Sequence, residues 1–154
     1  MNTQPINQAK SQENIELRIR TMRTLWIAML SSIGGYYVLT VFTRPSADVI
    51  HNHVFSLVLV GLALLTTLIS FPIKNKLLNL AVHQQQVQLV QQGYNVAWAM
   101  ADIAALLGIL DYFLNANNYY FIYSVIAAGG MLLHFPRREP VINAAATTSK
   151  SNIG

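Results

Sequence analysis

The chain contains no cysteine, and charged residues make up only 10% of its 154 positions. Without cysteine there are no disulfides, thiolate metal sites, iron–sulfur clusters or cysteine nucleophiles. Charge at that level is less than half of the roughly 25% found in soluble domains, and 53% of the residues are apolar, with a mean hydropathy of +0.38. That balance excludes an ordinary soluble enzyme. No nucleophile elbow, phosphate-cradling glycine loop or zincin helix occurs, so the sequence implies no catalytic activity and no cofactor.

The ten basic and six acidic residues gather at the edges of long apolar stretches. Thr24 to Thr43 is a run of twenty uncharged residues, which at 1.5 Å per residue rises about 30 Å, the thickness of a bilayer's hydrocarbon core. A second run covers 54–73, with Pro72 where a helix can stop. A third, 93–115, carries Asp102 and Asp111, and a shorter fourth, 118–135, ends at Pro136 and two arginines. The expected fold is therefore all-α, an integral membrane four-helix bundle over 17–138. A flexible polar N-terminus (1–16) precedes it, and a flexible tail (139–154) follows it.

Basic residues collect on the cytoplasmic side of membrane proteins. In a four-span arrangement Lys10, Arg18, Arg20, Arg23, Lys74, Lys76, Arg137, Arg138 and Lys150 share one side, and only Arg44 takes the other. Both termini are expected in the cytoplasm, most simply of a bacterial inner membrane. The basic excess thus serves topology, and no aromatic-interleaved basic face for nucleic acid is present. The first run is longer than a signal-peptide core and lacks a small-x-small cleavage site at Phe42-Thr43-Arg44-Pro45, so it reads as an uncleaved anchor.

Two segments look alike. Leu68-Ile69-Ser70-Phe71-Pro72 and Leu132-Leu133-His134-Phe135-Pro136 lie 64 residues apart, each just before basic residues. They suggest two tandem two-helix hairpins, or simply a recurrent way of ending an inward-going membrane helix. Between the hairpins, 74–92 has no Gly or Pro and carries Gln84, Gln85, Gln86, Gln88, Gln91 and Gln92. With Leu78, Val82 and Leu89 on one side, it is expected to form an amphipathic connecting helix along the headgroups.

Asp102 falls near the middle of the third span, where an acidic side chain costs roughly 2.5–3.5 kcal/mol on insertion scales. Ser31, Ser32, Thr66 and Thr67 lie at a matching depth and offer hydroxyls to it, so this group forms a candidate ion-binding set. The carboxyl then either exchanges a proton or cation or is a hydrogen-bonded structural group. Ala97, Ala101, Ala104 and Gly108 line a close-packing seam roughly 100–140° around the helix from Asp102.

The stretch Ala101-Asp102-Ile103-Ala104-Ala105-Leu106-Leu107-Gly108-Ile109-Leu110 resembles the carboxylate helix of rotary-ATPase proteolipids, the c-type subunits. In that family an acidic residue, followed by small residues and a glycine, carries the transported proton or sodium ion on a helix descending from a polar cytoplasmic loop. The resemblance implies that role for Asp102 alone. It covers ten residues, and span two holds only Gly61 where the family's partner helix is lined with glycines.

Asp111 is nine residues from Asp102, hence on the opposite helix face, and reads as a wetted interfacial group. His51 and His53, with Asp48, make a candidate metal site of two imidazoles and a carboxylate. His134 has no axial partner at equal depth, which argues against a transmembrane haem. Tyr36, Tyr37, Tyr112, Tyr119, Tyr120 and Trp26 occupy aromatic-belt positions. The sequence thus points to a non-catalytic subunit of a membrane complex, partnered by lipid and by other subunits or its own copies. The alternative is a proteolipid-like carrier of protons or sodium ions.

Overall fold

The computed structural model describes residues 4–43 and 52–150, with side chains from 12 to 43 and from 52 to 145. Among these the chain is all-α: α1 Gln4–Phe42, α2 His53–Gln84, α3 Val87–Asn115, α4 Phe121–Leu133 and α5 Glu139–Lys150. Three of them, α1 to α3, are long and apolar enough to cross a membrane. The expected fourth span is shortened to thirteen residues, which rise about 20 Å. Residues 118–120 form a turn instead, pinned where the Asn117 side-chain oxygen accepts the Tyr119 N–H at 2.9 Å. At the other end the His134 N–H turns back to the Gly130 and Met131 carbonyls, each at 3.2 Å.

The connecting helix expected over 74–92 does not exist as a unit. Instead α2 continues through Pro72 to Gln84, and α3 starts at Val87. Gln85 takes the left-handed conformation (φ 54°), its N–H reaching the Val82 carbonyl at 3.3 Å, while the Gln86 N–H reaches Ala81 at 3.0 Å. Two such bonds around a left-handed residue close a helix in the way glycine usually does. Here a glutamine does it, so no breaker marks the turn in the sequence. Pro72 does not stop α2, because α3 runs alongside well past it. Beyond the proline, Gly93 brings the helices so close that a Cβ there would stand 3.2 Å from Leu77 Cβ and 3.6 Å from the Lys74 carbonyl. Pro136, by contrast, does follow the end of α4, so the two similar segments differ in conformation.

The segments expected to be loose are helical as well. The first helix begins at Gln4, and 139–150 form α5, which packs on α2, α3 and α1. Pro140 stands in its first turn, where proline favours a helix start, and Glu139 beside it suits the positive end of the helix dipole. Val141 and Ala144, three residues apart on one face, are wholly buried.

The central helix is α3, which contacts all the others. Its membrane-length stretch is 44% buried, against 22% for α2 and 11% for α1. Ala97, Ala101 and Ala104 have no exposed surface, and Gly108 lies under Tyr123 of α4. Further along α4, Gly130 lies against the Thr67 methyl and Ala101. The seam therefore joins α3 to its own chain, with α4 laid into it. Small residues allow this approach, which a bulkier stripe would prevent.

A Cβ on Gly108 would fall 2.6 Å from Tyr123 Cβ and 3.2 Å from the Tyr120 carbonyl, whereas nothing lies within 4 Å of one on Gly34. Gly108→Ala is expected to destabilise the chain by about 1–3 kcal/mol through overpacking. Gly34→Ala should gain up to about 1 kcal/mol from helix propensity. Melting curves of the two variants in detergent should move in opposite directions; a shared direction would contradict the close contact at Gly108.

Candidate functional site

The two aspartates of α3 have different surroundings. Asp102 is half-buried and faces α1, where Ser32 and Tyr36, four residues apart and so on one helix face, reach it with their hydroxyls. Ser32 Oγ lies 3.4 Å from Oδ1 and Tyr36 Oη 3.3 Å from Oδ2. Both distances are long for hydroxyl donors, which favour about 2.7–2.8 Å. Ser32 Oγ also stands 2.7 Å from the Met29 carbonyl, and its single proton serves the nearer acceptor better.

The remaining hydroxyls expected around Asp102 are occupied within their own helices. Ser31 is exposed and donates to the Ile27 carbonyl at 2.8 Å. Thr66 and Thr67 both donate to Ala63, at 3.0 and 2.9 Å. Helical Ser and Thr reach carbonyls three or four residues back in this way. Ser32 is thus the member of the expected set that the structure brings to Asp102, and Tyr36 is an unexpected second.

Asp111 is fully buried, which corrects its reading as a wetted group. It does face away from Asp102, but that face is covered by α2 and α4. Its Oδ1 accepts from Ser56 Oγ at 2.8 Å and from Asn115 Nδ2 at 3.1 Å. Its Oδ2 accepts from Asn117 Nδ2 at 2.5 Å and from Tyr123 Oη at 2.8 Å. Asn115 extends the network: its Nδ2 lies 2.6 Å from Ser56 Oγ and 3.0 Å from the Asn52 carbonyl, and its Oδ1 accepts the Asn52 N–H at 2.5 Å. Asn52 in turn caps α2, accepting from the Val54 and Phe55 N–H groups. The end of α3 and the beginnings of α2 and α4 meet at one carboxylate. The signal in the sequence was the spacing: Asn52 and Ser56, like Asp111 and Asn115, are four apart and share a helix face.

A second polar cluster lies at the opposite end of α4. His134 is fully buried, with its Nδ1 3.0 Å from Lys74 Nζ and its Nε2 2.7 Å from Ser70 Oγ. An ammonium only donates, so Nδ1 accepts and Nε2–H donates to Ser70, which passes its own proton to the Thr67 carbonyl at 2.5 Å. Trp98 Nε1 donates to the His134 carbonyl at 3.0 Å and Trp26 Nε1 to that of Met131 at 2.9 Å. The indoles thereby satisfy carbonyls that a short helix leaves open at its end. This pairs His134 with residues 60 and 64 positions earlier, a juxtaposition that depth matching alone did not show.

For the candidate metal site, Asp48 and His51 fall outside the described residues, and His53 is the exposed first residue of α2. Among the described residues no three potential ligands converge. Comparison with protein-family models, with curated proteins and with solved structures gives no match.

The contrast between the aspartates yields opposite expectations for one substitution. Asp111→Asn places an amide N–H₂ against buried donors and removes bonds to a charged acceptor, each worth about 1.5–3 kcal/mol. It should cost about 3 kcal/mol or more. Asp102→Asn, half-buried and with long bonds, should cost less than about 1 kcal/mol. Thermal unfolding in detergent tests the pair; equal losses would contradict the assignment of Asp111 as the structural carboxylate.

Proposed function

We propose that this chain is a multi-pass membrane protein of the bacterial inner membrane, both termini cytoplasmic, serving as a small non-catalytic subunit or accessory factor of a larger membrane complex. The observation that carries this reading is the incomplete cover of α1, whose membrane-length stretch is 11% buried. Beside it an open apolar groove of about 360 Å³ runs between α1 and α4, lined by Leu30, Gly34, Tyr37, Phe121, Val125 and Ala128. A helix of a neighbouring subunit or a second copy fits there, since Gly34 leaves its backbone room to approach. The orientation is supported by the one-sided basic residues. Of these Arg23, Lys74, Arg137 and Arg138 gather at the end of the bundle where α4 stops.

Gly34→Leu fills the groove from a position with nothing within 4 Å. It should not lower the chain's own melting temperature, and it should remove the stoichiometric companion, or second copy, seen on native gels after extraction in mild detergent. A wild-type chain that runs alone under those conditions would overturn the subunit reading.

A second reading, that Asp102 carries a proton or sodium ion as in the proteolipids it resembles locally, is favoured by its half-exposed carboxyl and two long bonds. Such a carboxyl can release and rebind a cation without dismantling the fold. If it does, Asp102→Asn should abolish ion flux in reconstituted vesicles while leaving folding and assembly intact; flux equal to wild type would exclude it.

A further inference from the structure

We infer that Lys74 and Arg137 form a binding site for the phosphate headgroup of an acidic phospholipid. Tyr94 ties Lys74 of α2 to the link between α4 and α5 that carries Arg137: its ring centroid lies 5.7 Å from Lys74 Nζ, and its hydroxyl accepts the Arg137 backbone N–H at 3.2 Å. The ammonium is also held by His134 Nδ1 at 3.0 Å and stands 5.7 Å from the Phe71 ring, so the lysine is fixed in place instead of sweeping through solvent. Neither Lys74 nor Arg137 has a carboxylate within ion-pair distance among the described residues; Glu16 pairs with Arg138. A lysine held in place and an exposed arginine beside it, neither with a counter-ion, call for an anion.

The level of the site selects the kind of anion. Lys74 and Arg137 stand just past the apolar runs of α2 and α4, and the exposed Leu132, Leu133 and Phe135 come immediately before Arg137 in the chain. Trp26, half-buried, lies at the same end and donates to the Met131 carbonyl of α4, as aromatic residues do at the headgroup boundary. A ligand with a phosphate beside the cations and acyl chains along the leucines matches both surfaces. Free phosphate matches only one.

The inference rests on the chain being embedded in a membrane, and its test separates the two. Full-length protein is purified in detergent, delipidated, and titrated with short-chain phosphatidylglycerol or phosphatidylcholine, bound lipid being counted by native mass spectrometry. Phosphatidylglycerol should be preferred by about thirty-fold, a ratio equivalent to about 2 kcal/mol at about 1.4 kcal/mol per tenfold, as two surface cations provide. Lys74→Gln with Arg137→Gln should erase the preference. Arg137→Gln alone alters an exposed side chain, so the fold stays intact, and should reduce the preference several-fold. Arg138→Gln should not change it, and millimolar inorganic phosphate should not displace the lipid. Equal binding of both lipids, full retention by Arg137→Gln, or displacement by phosphate overturns the site. Carbonate washing of membranes runs in parallel. A chain that resists the wash but shows no lipid preference refutes the headgroup site alone, and a chain released by it refutes the membrane reading as well.

Discussion

Asp111 accepts hydrogen bonds from Ser56 on α2, from Asn115 on its own helix, from Asn117 in the following turn and from Tyr123 on α4. Amid lipid, apolar side chains gain little by choosing protein neighbours over acyl chains, so the arrangement of helices depends on polar bonds and on surfaces that permit close approach. This carboxylate supplies the first at one end of α4, and His134 with the two indoles supplies it at the other. Between them, Gly108 and Gly130 lower α4 onto α3 and Thr67. A helix of thirteen residues, short for a bilayer, is thus fixed at both ends and along its length.

The all-α architecture was legible because apolar runs with flanking cations follow directly from bilayer thickness. Ala97, Ala101 and Ala104, which share a helix face by spacing, are all buried. What escaped was set by three-dimensional context. Gln85 turns the chain without glycine because helix-closing bonds to Ala81 and Val82 offset its unfavourable conformation. Pro72 fails to stop α2 because α3 flanks the helix beyond it. The burial of Asp111 depended on which helices cover the face opposite Asp102, and periodicity identifies a face without saying what lies on it. The tail over 139–154 is helical as far as Lys150 because Pro140 stands in a first turn, where proline starts a helix.

The two carboxyls of α3 divide structure from availability. One has every oxygen engaged by short bonds and no exposed surface; the other is half-open, with two distant hydroxyls on the least covered helix. Both the groove beside α1 and the cations near Tyr94 lie at the margins of the bundle, where the chain's own contacts give out. Any ligand or companion therefore meets α1, the flank of α4 or the Tyr94 end of the bundle before it meets the interior.

The reversal at Gln85–Gln86 also bears on the order in which the molecule is assembled. Two residues separate the most extensively packed pair of helices, so the entropy lost in closing that loop is small and the pairing is local. As the chain emerges from the ribosome, α2 and α3 can zip together as a helical hairpin before α4 has been made. Ser56 is then already alongside Asp111 before α4 exists, so the carboxylate has a donor in place from the first pairing of helices. The later arrival of Asn117 and Tyr123 completes a cage whose first wall was built during synthesis.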